Sequence, residues 1–590
     1  MNTNLRRAEP HFVSSTASRG RLFSRREWLT WLSSASLSTV LLGQRALAAE
    51  PAPQVVRAAT DLGARTYNVR EFGAKGDGVT LDTAAVQAAI NACHADQGGT
   101  VLIPAGVFVI GTVELKSNVT LHISAQGKLL GSADGKHYHA IAEIPLSGDT
   151  SLNDGNVGML YAVHAENITL EGPGTIDGQG SKFRIPEGAV RAPSGTEDSD
   201  RPYQFLFYRC KNLAVRDVFL TAGAIHAVRI IQSSYVQLTG LHIHNRVNRN
   251  NDGFHFISSD HVHISNCDVE CQDDACALFG SCKFVTVDDC SFSTRWSVFR
   301  FGGGQAENIA VSNCLIHETY GCPIKMVCSP EARFENMAFS NLVMRNVTGP
   351  ISITQGPHRP ARARPPGGQE KTGASAASED ALAPGVVRNI SFRGIQATVV
   401  VPIALPDTPF TTDYHPAEIK SCIGLSAVDG FLENISFEDV QVMFPGGGTE
   451  AEAAVRDVPL VIGEYYEAGV LPAYALFARN VRGLRLSNVR FQVAGAEARP
   501  AVVLDHVIDA AFNGFTAQGT KEAESLLRLI DAQDVLLAGS RVLDNAAVFL
   551  DVEGASSSRI TVEGGDLSRA AKVVAFNRGA DVKSVKLVGG

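Results

Sequence analysis

Three carboxylates stand near one another in the middle of the chain: Asp252 in N-R-N-N-D-G-F-H-F, and the adjacent Asp273 and Asp274 in E-C-Q-D-D-A-C-A-L. Asp252 and Asp273 are 21 residues apart, near one turn of a short-period solenoid. If successive turns stack, the chain returns above itself and brings the three acids to one face. Carboxylates gathered on one face repel, so one of them is expected to keep its proton beside an ionised neighbour. An acid facing a base is what glycoside hydrolysis requires. A lone N-D-G would be read as a turn former. The pair one repeat later, with Lys325 beyond it, points instead to catalysis, because clustered like charges are costly without a use.

Stacking demands a repeat. Segments N-L-A-V-R-D-V, Y-V-Q-L-T-G-L, H-V-H-I-S-N-C, F-V-T-V-D-D-C and N-I-A-V-S-N-C begin at 212, 235, 261, 284 and 308, at intervals of 23, 26, 23 and 24 residues. An earlier copy begins at 167, and later ones at 336, 389, 434 and 483. Each alternates polar and apolar residues, the period-two pattern of a half-buried strand. Repeats this short, with several strands each, predict an all-β parallel β-helix. An immunoglobulin-like sandwich would also supply short strands, but without register-matched copies. Ahead of the repeat, Asp82-Thr83 opens a helical pattern with apolar Ala85, Val86, Ala89 and Ile90. A short helix there, with Asp82 as N-cap, suits the lid over the first open coil.

Hydrophobic residues make up 45% of the 590, enough for a long core, and 55 glycines supply tight turns. A formal net charge of −9 gives no basic footprint and argues against nucleic acid as a partner. At the N-terminus, Ser24-Arg25-Arg26-Glu27-Trp28-Leu29 precedes an apolar stretch from Trp31 to Gly43 and then Ala46-Leu47-Ala48. These features read as a twin-arginine signal peptide over 1–48, then a linker over 49–65 and the β-helix domain over 66–590. They predict a periplasmic or extracellular protein with no membrane association once the signal is removed. Of the eleven cysteines, Cys267, Cys290 and Cys314 hold one repeat position that Val218, Leu241, Leu342 and Val440 fill elsewhere, so they read as a core ladder. Cys322 with Cys328, or Cys271 with Cys276 or Cys282, are open as pairs.

Segments that break the period are insertions: 181–202, 403–422, 445–475 and the low-complexity 357–386, which reads as a mobile loop. Insertions in solenoids commonly gather on the binding face. The stretch Glu464-Tyr465-Tyr466-Glu467 reads as a structural loop, and His226 and His255 as surface or hydrogen-bonded histidines.

R-E-F-G-A-K-G-D-G-V-T-L-D-T-A-A-V-Q-A-A-I from Arg70, Asn250-Asn251-Asp252-Gly253 and Asp273-Asp274 together resemble the pectin lyase-like superfamily. Within it the chain resembles glycoside hydrolase family 28, the polygalacturonases and rhamnogalacturonases, over roughly residues 66 to 500. The resemblance implies a right-handed single-stranded β-helix and an inverting hydrolase of pectic, uronate-containing chains, the substrate being plant cell-wall polysaccharide or its oligomers. Asp273 would be the general acid, with Asp252 and Asp274 holding the water. Inversion needs about 6.5–9.5 Å between acid and base. If Asp273 and Asp274 lie on a strand, both reach the cleft only through a bend or bulge. Thr294-Arg295-Trp296-Ser297-Val298 stands where the family has Gly-His-Gly, and Pro323-Ile324-Lys325 where it has Arg-Ile-Lys. Lys325 is therefore expected to meet an anionic sugar, with Arg295 and Arg300 as replacement cations and Trp296 as a stacking surface. No cofactor or metal is called for, and monomers are usual in such folds. A calcium-dependent lyase and an inactive carbohydrate-binding β-helix are the alternatives.

Overall fold

The computed structural model describes residues 62–146, 155–183, 201–357, 382–401, 420–459, 463 and 468–589. The proposed signal peptide, the core of the 357–386 insertion and Glu464–Glu467 lie outside them.

Each coil consists of three short strands separated by turns. Val228–Ile231, Ser234–Thr239 and His242–Asn245 form one coil, and Phe254–Ile257, Asp260–Ser265 and Asp268–Cys271 form the next. Every named strand pairing runs parallel, coil upon coil, and no register slip occurs across these two coils. One face is a fifteen-stranded sheet from Val113–Glu114 to Ala570–Asn577. The other two faces merge where Arg333–Val347, Val386–Val399 and Leu432–Phe444 run round the corner as long strands. The fold is a right-handed parallel β-helix, all-β apart from short helical pieces.

The repeat seen in the sequence is the structural coil. In Asp260–Ser265, Val262 and Ile264 point inward and are fully buried while His263 stays exposed. Burying one such aliphatic side chain contributes about 1.5–3 kcal/mol. Inward columns run from coil to coil: Val218, Leu241, Cys267, Cys290 and Cys314 continue into Leu342, Ile395 and Val440. All eleven cysteines are buried and free, including those left open as pairs. Cys322 Sγ lies 3.1 Å from the Ile324 carbonyl, and Cys271 Sγ lies 3.1 Å from that of Asp273.

The first residue of each repeat sits in the left-handed region, as with Asn167 (φ 56°), Asn212 (57°), Asn308 (59°) and Asn389 (58°). Asparagine tolerates that conformation, and its amide bonds to the amide one coil away: Asn212 Nδ2 donates to Asn167 Oδ1 at 2.8 Å. In three successive coils Tyr235, His261 and Phe284 replace it, stacked at 4.8 and 5.0 Å.

The capping helix spans Thr83–Ala95 and buries Val86, Ala89, Ile90 and Cys93 against the first coil. Asp82 occupies the N-cap position but makes no capping bond. Its buried carboxylate accepts instead from the Lys75 and Gly76 amides at 2.7 and 2.9 Å, closing the K-G-D-G turn below the helix.

Candidate active site

Five strands of the fifteen-stranded sheet position the site: β1 (Val228–Ile231), β2 (Phe254–Ile257), β3 (Cys276–Phe279), β4 (Phe299–Gly302) and β5 (Ile324–Cys328). Phe254, Cys276, Phe299 and Ile324 form one inward column. One residue along, Arg229, His255, Ala277, Arg300 and Lys325 form an outward column in register.

The acids lie at the N-terminal edge of these strands, in the turns that deliver the chain to them. Phe254 pairs with Cys276, so two residues earlier Asp252 stands beside Asp274, and Asp273 stands beside Asn251. Backbone bonds tie the two turns: Gly253 N–H to the Asp274 carbonyl at 3.0 Å and Asp273 N–H to the Asn251 carbonyl at 3.1 Å. Residues 272–275 belong to no strand. The bend expected for the adjacent acids is present, at residues 272, 273 and 275, and strand alternation does not apply there.

Three asparagines knit the turn that carries Asp252. Fully buried Asn251 accepts the Val247 amide at 2.9 Å and donates to the Gly223 and Ile225 carbonyls at 2.9 and 2.8 Å. Asn245 Nδ2 donates to the Asp252 carbonyl at 2.9 Å, and Asn248 Nδ2 to that of Gly180 at 2.8 Å. These bonds satisfy turn carbonyls that burial would otherwise penalise.

The three carboxyls have different surroundings. Asp252 is 4% exposed, and His255 Nδ1 lies 2.8 Å and His226 Nε2 3.6 Å from its Oδ2. Asp273, half-buried, accepts its neighbour Asp274's backbone N–H on Oδ1 at 2.9 Å and Asn250 Nδ2 on Oδ2 at 3.3 Å. Arg201 Nη2 donates to Asn250 Oδ1 at 3.2 Å, and since a guanidinium only donates, this fixes which end of the amide faces Asp273. Asp274 is 7% exposed. Thr294 Oγ1 bonds to the Asp273 carbonyl, linking this turn to the next coil.

The expected substrate-binding residues gather one to two coils further on. Arg300 is half-buried, donates to the Phe301 carbonyl at 2.8 Å and lies 5.5 Å from the Phe279 ring centre. Arg295 is buried, 5.8 Å from the Tyr320 ring centre, and donates to the Glu318 carbonyl at 3.3 Å. Burial opposes the charge of Glu318, but hydrogen bonds from Tyr320 and Asn346 outweigh it and hold that carboxyl below its ordinary range. Lys325 is fully buried, with Nζ 5.0 Å from the centre of the half-buried Trp296 ring. Gly321 lacks the Cβ that would meet the Trp296 backbone at 2.7 Å, which lets the Trp296 turn pack down.

Of the two readings of His226 and His255, surface or hydrogen-bonded, the second holds: both are buried against Asp252 and His255 Nδ1 bonds its carboxylate, though sequence reasoning gave them no role at the site. It also passed over Arg201 and the asparagines. The usable signal was the D-x-x-H spacing that puts His255 three residues after Asp252, on an outward strand position. His226, Asp252 and His255 bring nitrogen and oxygen atoms within 4.8 Å of one another, yet the two imidazoles lie parallel (16°) at 4.3 Å. Two imidazoles and one carboxylate are a poor set for calcium, which takes oxygen donors. Among the described residues, no helix is long and apolar enough to cross a membrane.

Residues 93–362 match the model of glycosyl hydrolases family 28. The chain is 27% identical over 253 residues to the exo-poly-alpha-D-galacturonosidase of Dickeya chrysanthemi, covering 36% of this chain and 41% of that protein. It is likewise 27% identical over 310 residues to a polygalacturonase of Malus domestica, covering 50% and 62%. The chain thus spans less than two thirds of these relatives' length. The family 28 exopolygalacturonase of Yersinia enterocolitica superposes with a TM-score of 0.53 at 17% identity, over 75% of this chain and 78% of that one, a likeness of fold.

Proposed function

We propose that the chain is an inverting glycoside hydrolase that cleaves glycosidic bonds in pectic, uronate-containing polysaccharide or its oligosaccharides. The observation that carries this reading is the juxtaposition of Asp252 and Asp274 at matching positions of successive coils, with Asp273 beside them. Asp273 protonates the leaving glycosidic oxygen. Asp252 and Asp274 hold the water that attacks from the opposite face of the sugar ring. The imidazole N–H on Asp252 suits a carboxylate that must stay ionised to accept a proton. Names borne by the relatives, a galacturonosidase and a polygalacturonase, support an anionic sugar as substrate. Arg300 and Trp296, both half-buried, are the first groups such a sugar meets, while Arg295 and the buried Lys325 add positive charge beneath them. Residues 66–590 form the catalytic β-helix, acting as a monomer outside the cytoplasm after export through the twin-arginine segment over residues 1–48.

Product analysis on polygalacturonan, rhamnogalacturonan and galacturonate oligomers tests this, with wild type beside Asp273→Asn and with EDTA as a control. Saturated reducing ends, falling by at least about a hundredfold in the variant, are expected. Unsaturated products lost with EDTA would replace the reading with a lyase, and binding without turnover would replace it with a carbohydrate-binding module.

A further inference from the structure

We propose that His255 and His226 act as a stacked imidazole pair that positions Asp252 and holds it as the ionised, water-activating carboxylate. This rests on the hydrolase reading and names two residues that it does not include.

His255 lies on the outward side of β2, and its Nδ1 is 2.8 Å from Asp252 Oδ2. An ionised carboxylate only accepts, so Nδ1 carries the hydrogen and the tautomer is fixed by its partner. His226, just before β1 and one coil earlier, brings Nε2 to 3.6 Å from the same oxygen. The two rings lie 4.3 Å apart at 16°. Phe279 covers the other face of His255 at 5.1 Å and 7°, and Tyr203 meets His226 edge-on at 5.1 Å and 70°. Four rings on four successive coils thus form one column, and the column prevents either imidazole from turning away from Asp252. Both histidines are at most 5% exposed, so water does not compete for the bond.

Charge follows from the same packing. Two imidazolium ions in face-to-face contact repel, so the pair holds at most one proton beside the Asp252 carboxylate. The other groups that face it are the Tyr203 hydroxyl, which accepts from Arg229 Nη1 at 2.5 Å, Asp274 on the next coil, and Arg300 against the far side of Phe279. A cation on one imidazole stabilises ionised Asp252. Neutral imidazoles still donate Nδ1–H. The Nδ1–H bond and any proton that the pair holds both favour the ionised form of Asp252.

The test compares His255→Leu with His255→Asn, whose amide nitrogen can take the place of Nδ1, in the full chain, with circular dichroism confirming folding. His255→Leu is expected to lower kcat about a hundredfold with little change in KM, and to shift the acid limb of the kcat/KM profile upward. His255→Asn should recover about tenfold of that loss. Equal losses in both variants, or an unmoved acid limb, would overturn the proposal. Nitrogen-15 NMR of the two imidazoles needs no substrate: in Asp252→Asn the pair should titrate at lower pH than in wild type. An unchanged titration would overturn the proposal even if wild type proved inactive on every pectic substrate, an outcome that speaks only against the hydrolase reading.

Discussion

Acids gather in the turns before β2 and β3, and again toward the C-terminal end of the fifteen-stranded sheet, and the two ends of this stretch treat them differently. Near β1 to β5 the neighbours of Asp252 and Asp273 are histidines, an asparagine amide and backbone N–H groups. Toward the C-terminus the neighbours are guanidinium groups. Arg456 grips Glu553 with Nε at 2.8 Å and Nη2 at 2.7 Å, Arg479 Nε holds Asp505 at 2.7 Å, and Arg499 Nη2 holds Glu497 at 2.8 Å. Several of these arginines also bind the chain that crosses the face. Arg479 Nη1 donates to the Val458 carbonyl at 2.8 Å, Arg499 Nη1 to that of Leu471 at 3.2 Å, and Lys420 Nζ to Glu452 at 2.7 Å. Burial, then Arg456, pushes the Arg528 guanidinium down to about 10, a sign of how tightly cations are packed there. One end spends its charges on fastening a cover. The other keeps carboxylates beside proton donors, where they are able to react.

The sharpest break of this comparison exchanges the two effects. Asp273→Asn should abolish turnover while leaving thermal stability nearly intact, because an amide oxygen can still accept from the Asp274 backbone N–H. Arg456→Met should do the opposite. Glu553 is nearly inaccessible, with 2% side-chain exposure, and losing its bidentate partner leaves Arg578 Nε at 3.3 Å and Arg528 Nε at 3.7 Å beside it. The expected cost is about 2 kcal/mol, that of charged hydrogen bonds lost. Calorimetry should show a lower Tm, and the folded fraction should keep its kcat. A fall in kcat with Tm unchanged would place the C-terminal cluster in the catalytic machinery.

What could be read beforehand follows the range of the interactions. The coil was legible because one apolar position recurs from Val218 through Cys290 to Val440, a signal that needs no long-range knowledge. The acids were legible because N-D-G and D-D are local. His226 escaped because its tie to Asp252 depends on which coil lies above which, and that is set only once Val228 pairs with Phe254. Asn251 escaped because buried turn carbonyls cannot be counted before the turn exists. The cover over the C-terminal face escaped for the same reason at greater range: Arg456 and Glu553 are 97 residues apart. Adjacent acids suggested a bend, and the chain bends at 272, 273 and 275, just ahead of the strand that begins at Cys276.

Acid should separate the two ends. Burial works against ionised Glu452, yet Lys420 and Thr449 hold its carboxyl below the ordinary value, and at Glu553 hydrogen bonds and charge from Arg456 do the same. A carboxyl whose folded pKa is lowered adds stability that is fully present above its unfolded value, about 4.3, and lost as pH falls through the folded value. Asp551, raised chiefly by burial, acts in the contrary sense and offsets part of this. Hydrogen exchange between pH 6 and pH 3.5 should therefore show Glu450–Ala453 and Ala546–Glu553 losing protection before β2 and β3. Uniform loss along the solenoid would mean that these pairs fasten nothing.

The smallest expected effect concerns the column shared by both ends. In the coils of the site it is Cys267, Cys290 and Cys314; in later coils it is Leu342, Ile395 and Val440. If the position only fills space, Cys290→Val makes a site coil resemble a later one and costs less than about 1.5 kcal/mol, since volume is nearly conserved. Activity should be unchanged. The thiols themselves should be silent in the native protein for want of access: burial pushes Cys210 up to about 11 and Cys314 up to about 12, and Cys290, held below its ordinary value by the Cys267 hydrogen bond, is buried as well. Thiol titration should find none of the eleven in the folded chain and all of them after denaturation. A Cys290→Val variant with normal Tm but reduced kcat would show that packing beneath the turns is tuned to the acids. The two ends of the sheet would then differ in their core as well as on their surface.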